Sequence, residues 1–210
     1  MLFAVIGDIR GNQSAFEAVL DHIEEAGIHV LMHTGNAIVG GDGGDAVVDR
    51  LRARGVHCVQ GLEDRLVVRF SKKRDALAGR VSPDVHEAMA RAHAGTSSEN
   101  LEFLRGLRKK QRLEMDGIAI ALGHGLAGAR TVTIGPGMPV ARLRRLREEA
   151  LADVVVLGGA SEPFATTVDG ALIVCPGPME AGPGRARYAL VCAEDPPWSA
   201  TFPEVAYAAD

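Results

Sequence analysis

The stretch Phe3-Ala-Val-Ile-Gly-Asp8-Ile-Arg10-Gly-Asn12 runs from an apolar segment straight into a turn, and it decides the fold. The apolar residues Leu2 to Ile6 predict a buried strand. Gly7 and Gly11 allow the backbone to turn sharply on either side of Asp8. Open α/β sheets bind their ligands at the carboxyl ends of strands, so Asp8 is a candidate site residue.

Strands and helices alternate over the first sixty residues. Apolar residues at helical spacing predict a first helix, with Ser14 as its candidate N-cap and Gly27 as its stop. The elements predicted after the first strand are a helix over 13–26, a strand over 29–33, a helix over 45–54 and a strand over 56–60. This βαβαβ order predicts a parallel sheet with right-handed crossovers.

The second half of the chain has a different pattern. A charged region over 65–112 reads as helical, with breaks at Gly79, Pro83 and Gly95. Short apolar runs between Gly and Pro turns then predict strands over 118–122, 153–157, 171–175 and 186–192, with one helix over 139–151. Two sheets packed face to face with helices outside fit this order. No linker or internal repeat interrupts it, so residues 1–210 are predicted to form a single domain.

Composition limits the class of protein. The 210 residues are 47% hydrophobic, enough for a sizeable core, and the net charge of -4 argues against a nucleic-acid-binding protein. Cys58, Cys175 and Cys192 are an odd, widely spaced set, typical of buried thiols in a reducing cytoplasm. No apolar stretch approaches the ~20 residues of a membrane span, and no signal peptide is evident. We expect a cytoplasmic protein whose partner is a small molecule or another protein.

Two further kinds of segment have a functional and a structural interpretation. The glycine-rich run 40–45 is either a flexible turn or a loop whose N–H groups, or whose Asp42 and Asp45, face a ligand. The basic clusters 72–74, 105–112 and 142–147 alternate with apolar and acidic residues. Solvated helix faces explain these clusters more simply than a nucleic-acid groove does.

Five successive segments resemble the calcineurin-like metallophosphoesterases, in particular their small bacterial and archaeal phosphodiesterase branch. The family pattern is Asp-x-His, Gly-Asp, Gly-Asn-His-Asp/Glu, a lone His and Gly-His-x-His, which together hold two metals across a phosphate. The corresponding segments here are 8–10, 35–36, 61–64, 123–125 and 158–161. The resemblance implies a four-layer α/β sandwich of two mixed sheets, with helices on both outer sides. It also implies that Asp8, Asn36, Glu63, His124 and Ser161 converge at one strand edge.

Most of the metal ligands that the resemblance implies are replaced. By position, only Asp8 and His124 keep the family identity. The replacing residues are Arg10, Asn36, Leu62, Glu63, Gly159 and Ser161. Arginine has no acceptor lone pair and is a permanent cation, and a neutral asparagine is a poor substitute for a bridging carboxylate. We therefore expect no dinuclear metal centre and no resident cofactor.

Our first hypothesis is a non-catalytic protein of this fold that binds a phosphate-containing or other anionic ligand, or a protein partner. The predicted ligand-binding residues are Asp8, Arg10, Asn12, Asn36 and His124, since the guanidinium could hold phosphate oxygens in place of metal. Glu63 and His124 are then remnants of a catalytic set. The simpler alternative is that Arg10 folds onto Asp8 and closes the pocket. Self-association is left open.

The second hypothesis is a weak or single-metal phosphoesterase. In that case Asp8, His124 and Glu63 would hold one manganese, nickel or zinc ion, with Asp42, Asp45 or Asp64 as further recruited carboxylates. A third hypothesis is a structural subunit whose pocket is vestigial. Metal content and turnover of a phosphodiester separate the first two.

Overall fold

The computed structural model describes residues 1–125 and 134–208, and in these ranges two five-stranded sheets and a three-stranded sheet combine with seven helices. The strands are β1 (Leu2–Ile6), β2 (Val30–His33), β3 (His57–Cys58), β4 (Lys110–Met115), β5 (Ile118–His124), β6 (Val154–Gly158), β7 (Phe164–Val168), β8 (Ala171–Cys175), β9 (Glu180–Gly182), β10 (Arg185–Arg187), β11 (Ala189–Cys192), β12 (Ser199–Thr201) and β13 (Glu204–Ala206). The helices are α1 (Gln13–Glu25), α2 (Gly44–Ala53), α3 (Leu62–Val67), α4 (Phe70–Ala78), α5 (Pro83–Gly95), α6 (Ser98–Gly106) and α7 (Val140–Ala150).

The first sheet has the order β12-β11-β1-β2-β3. Strands β1, β2 and β3 are parallel, as the βαβαβ pattern predicts, and β11 and β12 continue the sheet antiparallel. The second sheet has the order β4-β5-β6-β8-β7, with a parallel centre and an antiparallel strand at each edge. Both sheets are therefore mixed.

Three apolar clusters separate four layers. One lies between the first sheet and helices α1 to α6, and includes Phe16, Val48 and Leu104. A second lies between the two sheets, and a third lies between the second sheet and α7. The predicted four-layer sandwich with helices on both outer sides is confirmed. In the described ranges no helix is both long and apolar enough to cross a bilayer.

Several element boundaries differ from the sequence prediction. The N-cap of α1 is Asn12, not Ser14, because the Asn12 side chain accepts a hydrogen bond from the Ala15 N–H. The third strand is only His57–Cys58. The predicted strand over 186–192 is two strands that belong to different sheets, β10 and β11.

The predicted helical region over 65–112 ends at Gly106, and its last residues form the edge strand β4. Exposed and half-buried residues alternate along β4, which is the two-residue period of a strand with one covered face. Strand β7 is a second element that the sequence prediction missed. Of the three cysteines, Cys58 and Cys175 are buried thiols as expected, whereas Cys192 is only half-buried.

Candidate functional site

Asn36 is the centre of a polar cluster where β1, β2 and β5 end. Its Nδ2 donates to Asp8 Oδ2 at 3.0 Å and lies 3.3 Å from His124 Nε2. Its Oδ1 accepts from the Glu63 N–H at 2.9 Å, which fixes the orientation of the amide. Asn36 has φ 62°, in the left-handed region that asparagine tolerates better than most residues. Asp8, Asn36, Glu63 and His124 therefore converge, as the alignment of segments requires.

Arg10 closes this cluster from the solvent side. Its Nη2 lies 3.4 Å from Asp8 Oδ2 and 3.3 Å from Glu63 Oε1. The Arg10 side chain is 52% exposed, while that of Asp8 is 10% exposed. The guanidinium thus sits over two carboxylates with its outer side in solvent.

Of these two carboxylates, Glu63 is only partly hydrogen-bonded. Its Oε1 faces Arg10, but its buried Oε2 has no hydrogen-bond partner among the described residues. Burial raises the pKa of Glu63, and the cation of Arg10 opposes that rise, while the charges of Asp8 and Asp64 add to it. An unsatisfied buried carboxylate oxygen costs free energy, so this side chain is a candidate for further contact.

Asp64 has a structural role beneath the site. Its Oδ2 accepts from the N–H groups of Asn36 and Gly61, and its Oδ1 accepts from the N–H of Ala37. Burial raises the pKa of Asp64, and these three backbone bonds oppose the rise. Asp64 ties the turn after β2 to the start of α3. Both oxygens thus accept backbone hydrogen bonds, and recruitment of Asp64 as a metal ligand stays a prediction.

His124 keeps the orientation of a ligand. Its Nδ1 lies 2.7 Å from the Thr34 carbonyl oxygen, which can only accept, so Nδ1 carries the proton and Nε2 presents its lone pair to Asn36 Nδ2. A Cβ built on Gly159 would lie 3.6 Å from His124 Nε2. The position that the family pattern gives to an imidazole thus adjoins His124, and glycine leaves it empty of side-chain atoms.

The glycine-rich run 40–45 supports the turn that carries Arg10. Gly41 N donates to Arg10 O at 2.6 Å, and Gly43 N donates to Gly11 O at 3.1 Å. A Cβ on Gly41 would come within 2.6 Å of Gly11 O, so only glycine permits this approach. The run therefore brings two backbone segments together. The N–H groups of Gly41 and Gly43 donate to carbonyls of the chain itself and are not directed at a ligand.

Asp42 and Asp45, the other suggested replacement ligands, lie at a cavity that Asp8, Glu63 and His124 do not line. Both line a cavity of about 220 Å³ between the glycine-rich run and α5. Asp45 Oδ1 accepts from Ser97 N and from Asn100 Nδ2, both at 2.8 Å, and so docks the start of α6. In the described ranges no group of three or more His, Cys, Asp or Glu side chains is arranged to hold a metal ion.

Two other predicted site residues are engaged or positioned elsewhere. Asn12 caps α1 with its Oδ1 and donates from Nδ2 to the Tyr207 hydroxyl at 3.1 Å, so both ends of its amide are in use. Ser161 is exposed and has no hydrogen bond to the cluster in the ranges that the structure covers. The ligand-binding role of Asn12 stays a prediction.

His33 is a titratable residue near the site that sequence reasoning missed. It ends β2, is 1% exposed, and neither ring nitrogen has a hydrogen-bond partner among the described residues. Burial and the neighbouring His124 ring lower its pKa from 6.5 to about 3, and the nearby backbone of Gly7 and Gly35 opposes this shift without reversing it. His33 is therefore neutral in the folded protein near neutral pH.

The donor set does not suit the two divalent ions of a metallophosphoesterase. Such a centre needs carboxylate and imidazole lone pairs directed at ions ~3.5 to 4 Å apart. Here the Asn36 amide N–H groups are directed at the Asp8 carboxylate and the His124 lone pair, and Arg10 supplies the positive charge. Asp8 and His124, which keep the family identity, are therefore already paired with N–H groups: Asn36 contacts both, and Arg10 contacts Asp8.

Comparison with known proteins gives the same fold. A family model described as the calcineurin-like phosphoesterase superfamily domain matches residues 1–195. A hypothetical protein from Pyrococcus horikoshii is similar with a TM-score of 0.84 and 21% identity, covering 99% of this chain and 88% of that chain. A metallophosphoesterase from Sphaerobacter thermophilus gives 0.67 and 22%, covering 99% and 90%. Zinc-complexed Vps29 from Entamoeba histolytica gives 0.57 and 18%, covering 98% and 99%. No curated protein sequence matches the chain.

Proposed function

Since the chain belongs to the calcineurin-like phosphoesterase superfamily, we propose that it is a non-catalytic member that keeps the fold and acts by binding a protein partner. The observation that carries this proposal is the position of Arg10 Nη2 between Asp8 Oδ2 and Glu63 Oε1, at 3.4 and 3.3 Å. A permanent cation within the site supplies the charge that metal ions supply in an active family member.

Asn36 supports the same proposal. A bridging aspartate would attract cations, whereas the Asn36 amide is neutral and donates to Asp8 and towards His124. A divalent ion would have to displace both Arg10 and this amide before reaching any lone pair. Without a metal ion, the Asn36 amide group therefore still has acceptors for its N–H donors. In this proposal there is also no metal-bound water to attack a phosphoester.

The charges around Arg10 favour a protein partner over a small anion. An oxyanion that approached the guanidinium would meet the Asp8 and Glu63 carboxylates beside the same nitrogen. Like charges at this spacing are unfavourable. The similar structures include proteins named vacuolar protein sorting 29 from Entamoeba histolytica and Cryptosporidium parvum. The anionic-ligand hypothesis stays a prediction, which a titration with inorganic phosphate tests.

The test of the non-catalytic state is hydrolysis of bis(4-nitrophenyl) phosphate in the presence of manganese, nickel or zinc. We expect no release of nitrophenol by the purified chain above that of buffer with metal. Asp8→Asn is the control for a contaminating phosphatase. Turnover by the wild type that Asp8→Asn abolishes would overturn the proposal.

One observation favours a single-metal phosphoesterase as a second candidate. Arg10 is half exposed, so its side chain can leave, and Glu63, whose Oε2 has no partner among the described residues, then remains with Asp8 in the cluster to which His124 also belongs. The wild type would in that case melt at a higher temperature in millimolar manganese. The same shift should be missing in Glu63→Gln. A melting temperature unchanged by manganese in both proteins removes this candidate.

A further inference from the structure

Positive charge is concentrated in one part of the chain. Residues 65–112 hold twelve lysines and arginines against five acidic residues, in a chain whose net charge is -4. The rest of the molecule is therefore strongly acidic. A local excess of this kind on an acidic protein produces a field directed at one surface.

The cations of this region differ from the other surface cations because most of them have no acidic partner. Elsewhere, arginines such as Arg50 of α2, Arg54 directly after it, Arg144 of α7 and Arg187 of β10 form ion pairs. In the described ranges the following residues of the 65–112 region form no ion pair within 4 Å: Arg65, Arg69, Lys72, Lys73, Arg74, Arg80, Arg108, Lys109, Lys110 and Arg112. Surface charge that the fold does not neutralise is available to a partner.

Part of this set forms a continuous stripe with an apolar end. Leu62 and Arg65 are three residues apart, which places them on one face of α3, and Arg69 follows that helix as the N-cap residue of α4. Lys72 and Lys73 continue the same spacing into α4, and the Lys72 N–H bonds to the Arg69 carbonyl. Leu62 is 51% exposed at the first position of α3, directly before Glu63 of the candidate site.

The segment after α6 extends the stripe along the rim of the site. Gln60 N donates to the Arg108 carbonyl at 2.8 Å, so Arg108 lies beside the start of α3. Lys110 lies outside this group, because it lines a cavity with Leu146 and Glu149 of α7. We call the set Leu62, Arg65, Arg69, Lys72, Lys73, Arg108 and Lys109 the basic stripe.

We propose that the basic stripe binds an acidic segment of a partner protein, with an apolar side chain of that segment placed on Leu62. Charge complementarity carries the choice of an acidic occupant. A protein segment suits the stripe better than a nucleic acid, because its exposed members include a leucine and no aromatic ring for base stacking. The strongly acidic remainder of the chain also repels a long polyanion. This binding does not depend on whether the site hydrolyses a phosphoester.

The test is fluorescence anisotropy with a labelled synthetic peptide of alternating Glu and Asp residues around one central Leu. We expect the full chain to bind it with an affinity that falls as salt rises. Arg69→Glu/Lys73→Glu should weaken binding by at least about tenfold. The matched control is Arg142→Glu/Arg147→Glu on α7, which makes the same change in net charge and should alter affinity less than about twofold.

Two further comparisons fix the identity of the occupant. Leu62→Ser should weaken binding of the Leu-containing peptide and leave a peptide with Ser in its place unaffected. If Arg69→Glu/Lys73→Glu lowers the melting temperature, Arg69→Gln/Lys73→Gln replaces it in the same comparison. No binding by the wild type, equal losses in stripe and control variants, or tighter binding of polyuridine or phosphatidylserine vesicles would each overturn the proposal.

Discussion

At the scale of single residues, two side chains, Asn36 and Arg10, supply N–H donors at positions where the family pattern has metal ligands. Asn36 uses its backbone and both ends of its amide within the cluster, since it also accepts from the Arg10 N–H through its carbonyl. Arg10 adds one positive charge above Asp8 and Glu63. The two replacements depend on each other, because removing either leaves the Asp8 carboxylate short of a donor.

Asn36→Asp should destabilise the protein near neutral pH. The aspartate can hold the same left-handed backbone conformation, so the change isolates the loss of the Nδ2 donor, which lies 3.0 Å from Asp8 Oδ2. Two carboxylate oxygens at that distance should lower the free energy of unfolding by about 2 to 3 kcal/mol. Urea unfolding measures this, and the loss should shrink on acidification. An unchanged free energy of unfolding would contradict the assigned contact.

Arg10→Ala should lower the free energy of unfolding by about 1 kcal/mol, since the guanidinium is half exposed and its ion pairs are partly screened. The pKa of Glu63 should rise further in this variant, because in the wild type the Arg10 cation opposes the upward shift of that pKa. The control is Arg91→Ala, whose partner Glu87 is exposed on α5, with an expected change within about 0.5 kcal/mol. Equal effects of the two variants would leave Arg10 without a special role.

At the scale of elements, the site forms where the carboxyl ends of β1, β2 and β5 meet the N-terminus of α3. Asp64 holds this junction, because its three backbone donors come from the turn after β2 and from the residue that precedes α3. Gly61 is required there, since a Cβ would come within 2.2 Å of Asn36 N. Local backbone packing thus fixes the positions of Asn36 and Glu63 together.

Asp64→Asn should be among the most destabilising single changes in the site. One acceptor oxygen becomes an NH₂ group that faces backbone N–H donors, so at least one buried bond is lost, at a cost of about 2 to 4 kcal/mol. The matched control is Asp75→Asn, an exposed carboxylate on α4. Thermal and urea unfolding of both variants checks the prediction. Similar stability of the two would contradict the structural role of Asp64.

The sequence predicted most elements but missed two edge strands that had a readable signal. Strands β4 and β7 each end at an Asp-Gly pair with positive φ at both residues, Asp116-Gly117 and Asp169-Gly170. Asp-Gly between two strand-like segments favours a two-residue hairpin. In the case of β4, the three charged residues among its six hid the two-residue period, because only one face of this edge strand is covered.

The members of the site were more predictable than their contacts. The strand-end motifs brought Asp8, Asn36, Glu63 and His124 together correctly, because parallel strands place their carboxyl ends at one edge. The sequence left open whether Arg10 faces a ligand or folds onto Asp8, since that depends on the distance between side chains from separate turns. It also gave no sign of His33, whose burial follows from packing around the end of β2.

At the scale of the whole molecule, a buried neutral histidine couples the fold to pH. The unfolded chain binds a proton at His33 below pH 6.5, whereas the folded protein does so only below about 3. Between these values the unfolded state binds more protons, so the free energy of unfolding falls as pH falls. The slope should reach about 1.4 kcal/mol per pH unit from this residue.

Comparison of the wild type with His33→Leu isolates this contribution. Glu63 and Asp64, whose pKa values are raised, act in the opposite direction, because the folded state keeps their protons to higher pH, and they are present in both proteins. We expect the stability of the wild type to fall more steeply than that of His33→Leu between pH 6.5 and about 3. Parallel curves from urea unfolding would show that His33 titrates normally.

We propose above all that Arg10 and Asn36 have taken the place of the metals in this member of the superfamily. Elemental analysis of the full chain, after incubation with excess manganese and zinc and removal of free ions, tests it most directly. We expect a bound metal content well below one ion per chain. About two ions per chain, the stoichiometry of a working phosphoesterase centre, would contradict it.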